Sequence, residues 1–461
     1  MSIIAFFVWH VVNAGMGYSH RYDLRADDLY SSTNVTRRKL RDFEIGVFPG
    51  QAVDHDLGPE KGTFSQTYLI NKDYFDDNKP LLFIYIADDI SSDVVGYEVT
   101  IPAQTLKAAM VALEHRYFGD SKPTSDVSAT RLKKLLTIPQ TLEDIRSSAS
   151  YITGVLSPAT PMKIVLFGSS YTGSLASWAR QLYPDLFIGA VASASPFDIK
   201  VAYDPYDSVA ADDFSNPELG GSPQCLAEVT KAHAAFADIL GTPGGRRMLE
   251  QKFHICRGTL DNRGNQLLAT QGSTLLDFDL QSNDPSCSKD YCNIARICRR
   301  FTTGQEAALD KLAAVYNTNY PIPSTKCHDY DWSQELRELE DSRNSGARRL
   351  RALIGCNGRG LFVTCDESNR CPFMRSTDRL SHRLERCDRG FGISEEEVRQ
   401  KVTEVYRKYG GKGLHNTTNV ISINGNADPW YPVSITQKQP GVDVLMVEGA
   451  SHCYWSLHEN A

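Results

Sequence analysis

An open, mostly parallel α/β sheet interrupted by a mainly helical insert is the fold this sequence predicts, and three observations predict it. Six short apolar runs have the length and continuity of parallel strands covered on both faces. Helical patterns lie between some of them, and strand–helix alternation implies a parallel sheet. From about 205 to 405 the strand-like runs vanish and charged, cysteine-bearing helical sequence takes over. Two strand-like runs then return before the end.

The runs are PLLFIYIA (80–87), AAMVAL (108–113), KIVLF (163–167), IGAVASA (188–194), NVISIN (419–424) and VDVLMV (442–447). The segment SLASWARQLYP (174–184) sets Leu175, Trp178 and Leu182 on one helical face, and Pro184 stops the helix. The division expected is a first α/β part over 40–205, an insert over 206–405 and a second α/β part over 406–461. A chain of 461 residues has room for two to three domains of roughly 150 residues.

The formal net charge of −7 offers no basic excess to neutralise phosphates, which argues against nucleic acid as a partner. Arg348, Arg349 and Arg351 follow the acidic run Glu335–Asp341, and both read as solvated helix faces. Ten of the 11 cysteines fall between Cys225 and Cys387, the last is Cys453, and no CxxC pair occurs. That pattern reads as disulfides in an oxidising compartment rather than zinc, with at least one cysteine unpaired. Residues 1–17 fit a signal peptide: Ile3–Val12 is apolar apart from His10, too short to span a bilayer, and Ala14 and Gly15 follow. Asn34 and Asn416 stand in N-glycosylation triplets. Together these favour the secretory route, to the outside or to a lysosome-like compartment. Neither cofactor nor metal is expected.

Chemistry concentrates in KIVLF-GSSYTG-SLASWARQLYP. It reads as strand, tight turn, helix, with Ser170 on the turn and small residues around it, as a nucleophile elbow requires. Thr172 occupies the position of the usual second glycine, and Gly173 follows it. The helix start after the serine, with the N–H of Tyr171 first, offers donors for an oxyanion. Ser169 is the competing nucleophile. Near the end, NVISIN-GNADPW presents Asp428 after a strand, and VEGASHCYW presents His452 after the next. The order Ser, Asp, His is that of an α/β-hydrolase, here interrupted by the inserted, mainly helical domain. His452 is then the general base and Asp428 its orienting acid. His415 and His458 are rival bases, though neither directly follows a strand.

At these residues the chain resembles the serine carboxypeptidase S28 family. VDHDLGPEKGTFSQTYLIN (53–71), EHRYFGDSKP (114–123), the elbow block 168–196, NGNADPW (424–430) and GASHC (449–453) look like five ordered family blocks. The resemblance implies a triad of Ser170, Asp428 and His452, a cap that covers the active site, and exopeptidase cleavage of short peptides, usually after proline. It also implies bridges Cys356–Cys387 and Cys225–Cys365, with Cys453 free. Peptide substrates and a homodimer are the partners expected. The chain departs from the family at Ala87-Asp88-Asp89-Ile90, where a glycine-rich turn helps form the oxyanion hole, and at Cys356-Asn357-Gly358 in place of C-T-E. Asp88 and Asp89 are candidates for holding a substrate's amino terminus. The competing functions are an esterase or lipase on the same fold and a peptide-binding relative with impaired turnover.

Overall fold

In the computed structural model, residues 43–90, 95–270, 275–276, 283, 287–365, 371–374 and 380–456 are described. Asn34, the 1–17 segment and His458 lie outside them, as does the side chain of Asn416. The strands in chain order are β1 Glu44–Ala52, β2 Thr63–Asn71, β3 Leu81–Ala87, β4 Ala109–Glu114, β5 Lys163–Ser169, β6 Phe187–Ser193, β7 Ala202–Tyr203, β8 Phe362–Val363, β9 Val420–Gly425 and β10 Val442–Val447. Eight of them form one sheet in the order β1-β2-β4-β3-β5-β6-β9-β10. The two-residue strands β7 and β8 pair separately.

From β4 to β10 every pairing is parallel. The six apolar runs supply these six strands, five of them covered on both faces and the edge strand β10 half-covered. In β3, Leu82, Ile84 and Ile86 join one core cluster, whereas Leu81, Phe83 and Ala87 join the cluster on the opposite face. Strands β1 and β2 add an antiparallel edge that the apolar runs do not announce. This arrangement is the α/β-hydrolase fold. All parallel strands end at one edge of the sheet, where the loops carrying chemistry gather.

The helix after β5 spans Tyr171–Leu182. Leu175 and Trp178 are buried as the periodicity expects, but Leu182, on its last residue, is 39% exposed. Between β6 and β9 the insert is mainly helical, and two large apolar clusters among the described residues organise it. One is built within the insert around Phe214, Phe236, Phe253, Phe301 and Tyr316. The other joins the insert's Leu350, Leu353 and Val402 to Tyr117, Phe118 and Leu132, which bring the helical layer against the α/β part.

Arg348 and Arg351 are exposed, as a solvated face requires, but Arg349 departs from it. Arg349 is 1% exposed and donates to the carbonyls of Leu339, Val127 and Asn344. Arg348 pairs with Glu335, itself buried, and Arg351 reaches Asp88. Helical rotation of about 100° per residue sends the three arginines in different directions, so one cluster in sequence meets several surroundings.

Five disulfides form among the described residues, as suits an oxidising compartment. Cys356 bonds Cys387, and Cys453 is buried and belongs to none of the five disulfides. The Cys225–Cys365 bridge does not form. Cys225 bonds Cys298, with Cα atoms 5.2 Å apart, and Cys365 bonds Cys371 six residues on. Contact between helices Pro223–Leu240 and Ile294–Thr302 decides that pairing, and cysteine spacing carries no record of it. Among the described residues no helix is long and apolar enough to cross a membrane.

Candidate active site

Ser170 sits at the junction of β5 and its helix with φ 54° and ψ −126°. This left-handed backbone is unusual for a serine, and a sharp elbow needs it. Two glycines make room. A Cβ on Gly168 would lie 2.4 Å from the Thr172 backbone, and one on Gly173 would lie 2.0 Å from Ser195 Oγ and 2.6 Å from the Gly168 carbonyl. The crowded position is therefore 173, not 172. Thr172 instead fastens the turn. Its hydroxyl accepts the Ser169 N–H at 3.1 Å and donates to the Ser169 carbonyl at 2.9 Å. Ser169 is the last residue of β5 and pairs in register with Ser193, whereas Ser170 occupies the turn itself.

Asp428 follows β9 and is fully buried. Its Oδ1 accepts the Trp430 N–H at 2.9 Å, which leaves Oδ2 for His452 Nδ1, also at 2.9 Å. The loop after β9 and the loop after β10 are pressed together. Ala427 N–H donates to the Ala450 carbonyl at 3.0 Å, and a Cβ on Gly425 would lie 2.0 Å from that oxygen. Burial opposes protonation of His452, but the Asp428 carboxylate, with Cys453 adding to it, raises its pKa well above the ordinary 6.5. That is the signature of an imidazolium stabilised by its acid.

The elbow and the histidine loop converge on Ser193, at the end of β6. The Ser193 carbonyl accepts the Ser170 N–H at 2.7 Å and the Cys453 thiol at 3.8 Å, and its hydroxyl accepts the Trp455 indole at 3.2 Å. By contrast, His415 lies in the turn Gly411–Asn416 that enters β9 from its opposite end, with Nε2 on the Arg407 carbonyl at 2.8 Å. It is remote from the edge where the strands finish.

Above Ser170 lies a cavity of about 310 Å³. Ser169, Ser170, Tyr171 and Asp88 line its α/β side, and Arg351 and Arg359 close it from the insert. Asp88 is engaged: Arg351 Nε lies 3.1 Å from its Oδ2. Asp89 is not among the lining residues. The turn that carries both acids is fastened by the segment after β4. His115 N–H donates to the carbonyls of Ala87 and Asp88 at 3.1 and 3.3 Å, and Glu114 accepts the Ile90 N–H at 3.5 Å. Glu114 also accepts both the N–H and the hydroxyl of Ser121. Arg116 is fully buried and grips both oxygens of Asp144, at 2.6 and 2.7 Å. The EHRYFGDSKP block is thus a brace for the turn beside the site. Sequence reasoning did not single out Arg351 and Arg359 as site residues, because nothing around them marks chemistry.

A family-wide sequence comparison matches residues 51–458 to "Serine carboxypeptidase S28". The chain belongs to this family. It is therefore a serine-type peptidase. The thymus-specific serine protease of Mus musculus is 28% identical, over 89% of this chain and 84% of that protein. The lysosomal Pro-X carboxypeptidase of Bos taurus is 24% identical, over 87% of this chain and 81% of that protein.

Proposed function

We propose that this S28 peptidase removes residues from an end of short peptides, at proline-containing ends, through an acyl-enzyme on Ser170. The observation that carries the reading is the Asp428–His452 hydrogen bond of 2.9 Å, formed at the same sheet edge from which the strained Ser170 elbow rises. His452 Nε2 takes the Ser170 proton as Oγ attacks the scissile carbonyl, then returns it to the leaving amine. Asp428 fixes the tautomer through Nδ1 and stabilises the imidazolium. In this reading the Tyr171 N–H supplies one oxyanion donor and the backbone of the Asp88–Asp89 turn supplies the other, since a change of side chain leaves a backbone N–H in place. Water then attacks the acyl-serine by the same proton relay in reverse.

The confined cavity supports short ends rather than internal sites of folded proteins. The proline preference follows the name of the bovine relative. The disulfides and that relative's lysosomal name support passage through the secretory route.

Two measurements test the reading. A fluorophosphonate probe is expected to label wild type and S169A but not S170A. Mass spectrometry of a small peptide library is expected to show one or two residues lost from one end. Labelling without any peptide turnover would favour the esterase or the impaired relative, and labelling of S170A would move the nucleophile elsewhere.

A further inference from the structure

Charge is unbalanced among the described residues that line the cavity above Ser170. Three of them carry acidic or basic side chains: Asp88, Arg351 and Arg359. Asp88 and Arg351 neutralise one another. Arg359 is left over. Its Nε is buried without a hydrogen-bond partner among the described residues. Its guanidinium lies 5.9 Å from the centre of the Trp430 ring, two residues past Asp428. The cation therefore sits between the nucleophile's cavity and the acid loop. Burial lowers its pKa, and the nearby Tyr171 and Asp88 only partly offset that.

The segment that presents Arg359 is held firmly. Asn357 Nδ2 donates to the carbonyls of Lys133 and Leu136, both at 3.1 Å. Gly358 and Gly360 flank the arginine with φ of 129° and 62°, and a Cβ on Gly360 would lie 2.5 Å from the Lys200 carbonyl. The neighbouring Cys356 is tied to Cys387. A half-buried guanidinium whose Nε is shut off from solvent and from any described partner is costly to maintain unless an anion meets it, and its planar fork suits a carboxylate.

We propose that Arg359 binds the free C-terminal carboxylate of the peptide, so that the enzyme works from the carboxyl end. This rests on the assignment of Ser170 as nucleophile. The opposite polarity needs an available carboxylate to hold an amino terminus, and Asp88 is committed to Arg351. A cavity near 310 Å³ is at the lower limit for ligand sites and leaves little room beyond a terminal residue or two.

Calorimetry on S170A, which cannot consume the ligand, tests it directly. A proline-containing tetrapeptide acid is compared with its C-terminal amide and with an amide carrying an internal glutamate. The acid is expected to bind roughly 10- to 100-fold more tightly than the plain amide, as a charged hydrogen-bonded pair implies. The ratio is expected to fall close to one in S170A/R359Q and to recover in part in S170A/R359K. Equal binding of acid and amide, an unchanged ratio in R359Q, or a glutamate-bearing amide that binds as well as the acid would each overturn the proposal. If R359Q does not fold, the ratio in S170A and its fall in R359K decide the matter. Absence of turnover by wild type would sink the peptidase reading of Ser170 and leave these binding ratios readable.

Discussion

The backbone N–H of Ser170 donates to the carbonyl of Ser193 at 2.7 Å, so the end of β6 sets the height of the elbow. The same carbonyl receives the Cys453 thiol, one residue past His452. Two parts of the proposed triad are thereby referenced to one backbone atom. Positioning of this kind is needed because an error of about 1 Å can cost roughly 10²-fold in rate.

Gly173→Ala probes the elbow's crowding. The added methyl would meet Ser195 Oγ at 2.0 Å and the Gly168 carbonyl at 2.6 Å, so helix and strand must separate. We expect a loss of about 1–3 kcal/mol in stability, as for other overpacked sites, and a larger drop in fluorophosphonate labelling than the stability change explains. Thermal melts and labelling rates check it. Thr172→Gly, by contrast, is expected to fold and to label more slowly, because it removes the hydroxyl that fastens Ser169.

His452 must be neutral to accept a proton. Its pKa is held above the ordinary value by Asp428, so kcat/KM is expected to rise with pH through that elevated pKa and to fall below it. Asp428→Asn removes the charge, so the rising limb should move to lower pH. The plateau should drop by roughly 10⁴-fold, since the asparagine no longer fixes the productive tautomer. A pH–rate profile in which D428N shifts the limb upward, or not at all, would contradict the pairing.

Much of this was readable in the sequence, for a physical reason. Strands β3, β4, β5, β6 and β9 are covered on both faces, and the edge strand β10 in part, so their apolar runs are continuous. The three residues of the proposed triad follow such strands, which makes them easy to place. β1 is largely exposed and interrupted by Gly46, Pro49 and Gly50, and β2 mixes polar with apolar residues, so neither resembles a buried strand. The cavity's ceiling was harder. Arg351 and Arg359 reach it only through the packing of the insert, and Arg349, two residues from Arg351, is buried in a different environment. Partner choice for Cys225 likewise depends on which helices meet.

Two buried acids link stability to pH. Burial, with the charges of Asp212 and Asp428 adding, raises Asp213 from 3.8 to about 8, and burial raises Glu98 from 4.5 to about 7. Neither Asp213 Oδ2 nor either Glu98 oxygen has a hydrogen-bond partner among the described residues. The folded state therefore holds protons that the unfolded chain would release. Their contribution to stability is fully present below about pH 4 and is lost as pH climbs towards 7 to 8. The melting temperature of wild type is expected to decline over that window, and D213N and E98Q should each flatten the decline. A melting temperature that rises with pH there, in wild type and variants alike, would show that other groups dominate.

Arg116 and Asp144 form a pair almost without solvent, with side chains 0% and 1% exposed. Removing one partner leaves the other buried and charged, and such losses typically cost about 3–5 kcal/mol. Asp144→Ala is therefore expected to lower the melting temperature sharply. His55 leans on the same carboxylate at 2.7 Å and loses its partner too. Yet neither Arg116 nor Asp144 lines the cavity over Ser170. At a temperature where D144A remains folded, fluorophosphonate labelling of Ser170 should persist, because His115 and Glu114 still fasten the Ala87–Ile90 turn. Abolished labelling in a folded D144A would instead mean that this buried pair sets the position of the turn, and that the brace after β4 acts as one unit with the site.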